Sequence, residues 1–413
     1  MVPNGWIHTT FEKHIDCLTG YAFKSSNYSD SSSDIKLLRG DNIEPGSLRW
    51  RDAKYWSINQ LDGLERYQLN KGDFVIALDR TWISSGLKVA EVRSEDLPCL
   101  LVQRVIRVRA KKTLEQGLLR QYFSGHKFEQ YVKSVQTATA VPHISPNDIK
   151  EFPLLLPPLA EQQKIAQILS TWDQAISATE KLLENSQQQK KALMQQLLTG
   201  KQRLLDDDGV RFSATWLSKS LKDISKVSIG LVTTMTEHYV ESGIPLIRNS
   251  DIKENRITKE KLIKLSEDFA NQNSRRKLSK GDVVTVHTGE VGVSAVIDDE
   301  LDGCLGFATL NTRPNKKIID AQFLCWYFNS SRFIAHCISL STGDGRQNLN
   351  LKDFSKVMIP VPSLLEQKKI ASALSLAAQE METLQKRLDC LKREKKALMQ
   401  QLLTGKKRVK VAA

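Results

Sequence analysis

The chain has 413 residues, 40% of them hydrophobic, room for about two to four cored domains at roughly 100–200 residues each, which excludes a disordered or fibrous class. Its 60 Lys and Arg outweigh 47 Asp and Glu for a net charge of +13, which favours an anionic partner, nucleic acid first, over a protein that is merely basic. No apolar run is long enough to span a membrane, the opening MVPNGWIHTT has no signal-peptide pattern, and Cys17, Cys99, Cys304, Cys325, Cys337 and Cys390 show neither a C-x-x-C pair nor zinc-like spacing, so a cytoplasmic protein with reduced thiols and no metal is expected.

Residues 1–155 read as a mixed α and β domain. Residues 73–78 (DFVIAL) follow a Gly-containing turn and read as a short strand. Residues 100–108 give a second strand, and 113–132 a helical stretch. Two polar segments flank these elements, 79–88 after the first strand and 137–143 (TATAVPH) at the domain's end. Loops on a rigid scaffold are where recognition usually sits, and Arg, Asn, Gln and His read base edges by hydrogen bonding. The DNA-binding candidates here are Arg39, Arg80, Trp82, Lys88, Arg104, Thr137, Thr139 and His143. Each has an ordinary solvated position as its plain alternative. Arg104, Arg107 and Arg109 either track phosphates or form a solvent-facing row.

Residues 156–205 read as one long helix. Ile165, Trp172, Thr179, Ser186 and Leu193 recur every seven residues, beside the row Leu169, Ile176, Leu183, Lys190 and Leu197. About five heptads argue for a coiled coil. Pro157 and Glu161 are helix-start chemistry, and Gly200 is a stop signal. Lys190, in a core row, either fixes register or lays its stem along the seam with the ammonium in water.

Residues 206–360 repeat the mixed domain. Strands are expected at 282–287 and 291–297 and a helical stretch at 321–339, with polar segments at 288–292 and 342–348 (TGDGRQN). The candidates here are Arg248, Asn249, His287, Thr288, Arg346, Gln347 and Asn348. Residues 361–408 form a second helix, with heptad rows containing Ile370, Leu384, Leu391 and Leu374, Leu388, Lys395.

The second half duplicates the first. KKALMQQLLTGK occupies 190–201 and again 395–406, and PPLAEQQKIAQILS at 157–170 returns as PSLLEQKKIASALS at 362–375. Upstream, Trp6 matches Trp216, Gly20 matches Gly230, KLLRGDNI matches PLIRNSDI, and KGDFVIAL matches KGDVVTVH. The two helices are each other's best apolar match, and the residues alone leave parallel and antiparallel packing open. No phosphate-binding Gly-rich loop, dinucleotide fingerprint, base-flipping Asn/Asp-Pro-Pro-aromatic motif, H-E-x-x-H or nucleophile elbow is present, so catalysis by the chain is not expected.

The order domain, helix, domain, helix, with E-Q-x-K-I opening both helices and K-A-L-M-Q-Q-L-L-T-G-K closing both, resembles the specificity subunit of type I restriction–modification enzymes over essentially the full length. The resemblance implies an α+β fold: two target recognition domains, each followed by a long helix, the helices pairing as an antiparallel coiled coil with pseudo-two-fold symmetry. It implies that each domain reads one half of a bipartite, asymmetric site in double-stranded DNA. It further implies docking of two methyltransferase subunits, and of two restriction/translocase subunits, with Glu161, Gln162, Lys164, Glu366, Gln367 and Lys369 as docking candidates. S-adenosylmethionine, ATP and Mg2+ would belong to those partners, and this chain would carry no cofactor. The competing expectation is a coiled-coil scaffold that binds protein without reading DNA.

Overall fold

The computed structural model describes residues 2–411 apart from 139–140 and 343–346. The chain divides into two compact units, Met1–Glu180 with Lys386–Ala413, and Lys181–Gln385. This division cuts across the sequence boundaries, because each unit takes part of both long helices.

The first unit is built on an antiparallel sheet in the order Val89–Glu91, Phe74–Ala77, Val105–Ala110, Ile15–Thr19. Phe74, Val75, Ile76 and Ala77 are all buried, so this strand reads as a continuous apolar run rather than an alternating one. A second sheet places Cys99–Leu101 parallel to Ile35–Leu38, which pairs in turn with Lys54–Trp56. The stretch expected as one strand at 100–108 is therefore two strands in two sheets, broken at Arg104, whose φ is 70°. The Ile7–Thr10 strand pairs with Pro153–Leu156, tying the domain's start to the residues just before the long helix.

The second unit repeats the plan. Its main sheet runs Ser294–Val296, Val283–Val286, Thr309–Pro314, Ser225–Ile229, all antiparallel. Leu305–Phe307 lies parallel to Ile244–Arg248, and Leu217–Ser220 pairs with Met358–Val361. In each unit the expected helical stretch is a pair of helices, Gln116–Phe123 with His126–Val135 and Ala321–Phe328 with Ser331–Leu340. Ser330 makes the second break by capping: its Oγ accepts from the Phe333 amide at 3.3 Å.

The long helices span Leu159–Leu197 and Leu364–Leu402, 39 residues each, or about 58 Å at about 1.5 Å per residue. Gly200, the stop signal in the sequence, and its repeat Gly405 follow at φ 70° and 68°, a left-handed conformation that ends a helix. Within the first unit the opening of the first helix runs antiparallel to the close of the second. Glu161 pairs with Arg408, Asp173 with Lys395 and Glu180 with Lys392. Ile165, Ala166 and Leu169 share one core with Met399 and Leu402. Within the second unit the same packing recurs, with Leu197 and Leu198 against Ile370, Ala371 and Leu374.

Each seam lysine ends in an ion pair that neither expectation named. Lys190 and Lys395 are only 14% and 12% exposed at the side chain, and each ammonium meets a carboxylate: Glu254 at 2.5 Å and Asp173 at 2.6 Å. The acids are 47% and 36% exposed at the side chain, so the stems lie along the seam and the charges meet at its edge. The residue that repeats Asp173 in the second helix is Ala378, so the acid for Lys190 comes from the second domain instead.

Candidate DNA-recognition site and helix grooves

The strand Phe74–Ala77 delivers the chain into the 79–88 loop, and in the first unit this loop lies against the pre-helix segment. Asp79 and His143 form an isolated antiparallel bridge. The Arg80 amide donates to the Pro142 carbonyl at 2.8 Å and the Ile144 amide to Leu78 at 2.9 Å. The segment closes on itself as well: the Thr137 amide donates to the His143 carbonyl, and the His143 amide to Thr137 Oγ1. Where the two meet, His143 Nδ1 lies 2.6 Å from Asp79 Oδ1, and Arg104 Nη1 donates to Asp79 Oδ2 at 2.8 Å. Partial burial raises the Asp79 carboxyl, but the bonds from His143 and Arg104 outweigh it and hold the group below the usual carboxylate range.

The second unit builds the same junction from other side chains. Thr288 bridges Asn348, which also bridges Thr342. The Gly289 amide donates to the Gln347 carbonyl and Leu349 to His287. Thr288 Oγ1 reaches Asn348 Oδ1 at 3.4 Å and lies 2.8 Å from His287 Nδ1. Asn249 ties the corner together: its Oδ1 accepts from the His287 amide and its Nδ2 donates to the Ala308 carbonyl. Burial lowers the His287 pKa, which favours the neutral ring. Gln347 Oε1 is buried with no hydrogen-bond partner among the described residues.

The two polar segments named in each half of the sequence thus come together in each unit. Not every candidate residue stays available. Lys88 is 8% exposed; burial pushes its pKa down against the pull of Asp41, so it lies inward and does not face a duplex. Trp82 is half-buried, with the Lys133 ammonium 3.5 Å over its ring. Arg39 donates to the Asp52 carbonyl at 3.3 Å, and Arg248 forks onto Asp251 at 2.9 and 3.0 Å. Arg80 is exposed, with φ 46°. Thr139 and Arg346 lie outside the described residues. The expected row of strand arginines is no phosphate track: Arg107 is buried against Asp16 at 2.5 Å, and Arg109 pairs with the buried Asp73.

The E-Q pair opening each helix has a structural task. Gln162 Nε2 donates to the carbonyls of Pro157 and Thr113, and its Oε1 accepts from the Glu115 amide. Gln367 does the same with Pro362, Ile318 and Asp320. Glu161 accepts from Trp6 Nε1 and the Arg408 guanidinium, as Glu366 does from Trp216 and Arg203. All four E-Q side chains are buried, so the docking role expected for Glu161, Gln162, Glu366 and Gln367 fails for lack of exposure. Lys164 is exposed, and Lys369 pairs with Asp207 at 2.6 Å. The clamp's signal was present in the sequence: each helix repeat is followed by Arg after one mismatch (GKQR, GKKR), and each domain opens on Trp.

This clamp titrates. The Arg408 hydrogen bond is the main reason the Glu161 carboxyl sits below its ordinary 4.5, with burial opposing and Trp6 assisting. A depressed folded pKa contributes stability that is complete above pH 4.5 and falls away as pH drops through the lowered value. The expected result is that Glu161→Gln, less stable than the parent at neutral pH, loses less stability than the parent between pH 5 and acid. Urea unfolding at stepped pH reads it, and equal losses would disprove the linkage.

Grooves form a second shared feature. One of about 1160 Å³ in the first unit is lined by Lys395, Lys396, Met399, Gln400, Leu403, Thr404 and Lys406, facing Tyr122 and Lys127. One of about 980 Å³ in the second unit is lined by the repeats of these residues, from Lys190 to Lys201, facing Tyr327 and Arg332. The most repeated residues of the chain therefore line both.

Comparison with known proteins places this architecture. Residues 33–186 and 214–393 match the family described as type I restriction modification DNA specificity domain. The chain belongs to this family. It is 25% identical over 391 residues to the type I restriction enzyme EcoBI specificity subunit of Escherichia coli, covering 89% of this chain and 78% of that one. With the MjaVIII specificity subunit of Methanocaldococcus jannaschii it shares 27% identity over 293 residues, 68% of each chain. Among solved structures, the S subunit of a type I restriction–modification system from M. genitalium matches with a TM-score of 0.60 at 14% identity, covering 96% of both chains. A chain solved in a study of type I restriction–modification complex assembly matches at 0.56 and 19%, covering 98% of both. At these identities the structural likeness speaks for the fold. Its curated relatives are named type I restriction enzyme specificity subunits. Among its described residues no group of three or more His, Cys, Asp or Glu is placed to hold a metal, and no helix is long and apolar enough to cross a membrane.

Proposed function

We propose that this chain selects the DNA site of a type I restriction–modification complex. Each unit reads one half of a bipartite, asymmetric site through the junction of its strand-end loop and pre-helix segment. The grooves at the helix ends hold two methyltransferase subunits in equivalent ways. Restriction/translocase subunits join that assembly, and S-adenosylmethionine, ATP and Mg2+ act in the partners while this chain catalyses nothing. One contrast carries the reading: the loop junctions share a backbone frame but differ in side chains, whereas the groove residues within Lys190–Lys201 and Lys395–Lys406 are identical. A part that must vary independently belongs with sequence readout, and a part held constant with a common partner. The excess of positive charge would supply salt-dependent, sequence-independent affinity.

Mapping methylated bases in a host with and without the gene tests this. A split motif present with the gene and absent without it is expected. If no motif disappears, while the chain still assembles with its partner, the protein-binding scaffold is the better account.

A further inference from the structure

Three side chains meet at the loop junction of the first unit, and each position has a counterpart in the second. Asp79 and Thr288 each follow the central strand, Phe74–Ala77 or Val283–Val286. Arg104 and Ala308 each stand directly before the next strand of that sheet, Val105–Ala110 or Thr309–Pro314, both at positive φ, 70° and 50°. His143 and Asn348 are the bridge partners of Asp79 and Thr288. One backbone frame therefore carries an acid, a guanidinium and an imidazole in the first unit, and a hydroxyl, a methyl and an amide in the second.

We propose that Arg104 is the specificity-determining residue of the first unit and reads a guanine in the major groove, with Asp79 as its positioning residue. The inference rests on the DNA-reading function proposed above and gives that site a base. Arg104 is 60% exposed at the side chain, and among the described residues its guanidinium makes no hydrogen bond other than that to Asp79. Its flat fork of donors matches the two acceptors, O6 and N7, of a guanine edge. Asp79 is gripped from both sides, by His143 and by Arg104, so the arginine is held before binding, which reduces the ordering cost of recognition. The carboxylate also argues against a phosphate contact. A negative charge beside the guanidinium repels a phosphate, but Asp79 engages only Nη1 and leaves the other donors of the fork for an uncharged base edge. Ala308 has no donor to offer, so the second unit makes no equivalent contact, and the half-sites differ here.

The test uses the complex reconstituted with its methyltransferase subunit on a library of DNA sites, at two salt concentrations. The parent should show a split sequence preference. Arg104→Ala should lose about tenfold or more of the discrimination for guanine at one position of one half-site, with the other half-site unchanged. Ala308 shows that alanine accepts this backbone, and an unchanged melting temperature confirms that the variant folds. Arg104→Lys should recover part of the affinity and little of the discrimination. Asp79→Asn should bind all sequences more tightly at low salt while discriminating guanine less, which a merely structural residue would not do. A uniform loss for all sequences in Arg104→Ala, with a shallower salt dependence, would mean a phosphate contact and overturn the proposal. So would an unaltered preference. A parent with no split preference at all would instead overturn the DNA-reading function, and this assignment with it.

Discussion

Replacing Glu366 by alanine is expected to lower the stability of the second unit by about 3–5 kcal/mol, the cost typical of removing one member of a buried ion pair. Its side chain is 1% exposed and takes Arg203 Nε at 2.5 Å, Arg203 Nη2 at 2.7 Å and Trp216 Nε1 at 3.1 Å. Alanine leaves a guanidinium and an indole N–H facing a void that admits little water. Arg203 also donates to the Ala214 carbonyl at 3.0 Å, so the clamp joins the end of one helix, the start of the other and the first residues of the domain. Urea unfolding together with hydrogen exchange across 364–380 would measure it. A loss below about 1 kcal/mol, the range of an exposed pair, would show that the clamp is relieved by solvent. Glu366→Gln should fall between, since it keeps an acceptor for Trp216 but gives up the charge.

The grooves give the second large effect. Lys191 and Lys396 are exposed lining residues in the second and first unit, so changing them leaves the cores alone. If each groove seats one methyltransferase copy, Lys191→Glu and Lys396→Glu should each weaken one docking event by about tenfold through charge reversal. Each single variant should then form a complex with one partner copy, and the double variant should form almost none. Native mass spectrometry counts the copies directly. Retention of two copies by the double variant would remove the grooves from the docking surface.

Both helices, their glycine stops and the repeated order of elements were legible because they rest on local signals: period, caps and recurrence. The two loop segments that meet at each junction were also legible, as polar stretches flanking predicted strands. What stayed hidden was direction. E-Q-x-K-I reads as a surface motif because Glu, Gln and Lys are mostly exposed residues. Gln162 and Gln367 point inward because backbone groups at Thr113, Glu115, Ile318 and Asp320, distant in sequence, need partners there. Arg107 and Arg109 misled for the same reason: their strand occupies an interior place in the sheet, and acids on neighbouring segments take up the charge. Lys88 sits beside Leu87 and Val89 in a run that is buried throughout, which a polar loop in the sequence does not betray.

The first unit joins two stretches far apart in sequence, Met1–Glu180 and Lys386–Ala413, and this bears on how the molecule comes to be made. Every residue of the second unit has been synthesised by Gln385, whereas the first still lacks Lys386 onward. Until Met399 and Leu402 leave the ribosome, the apolar surface of Ile165, Ala166 and Leu169 has no cover from its partner helix. Translation therefore completes the two halves in reverse order, the later domain before the earlier one. A nascent chain carries an open greasy edge on its first half until Met399 and Leu402 have left the ribosome.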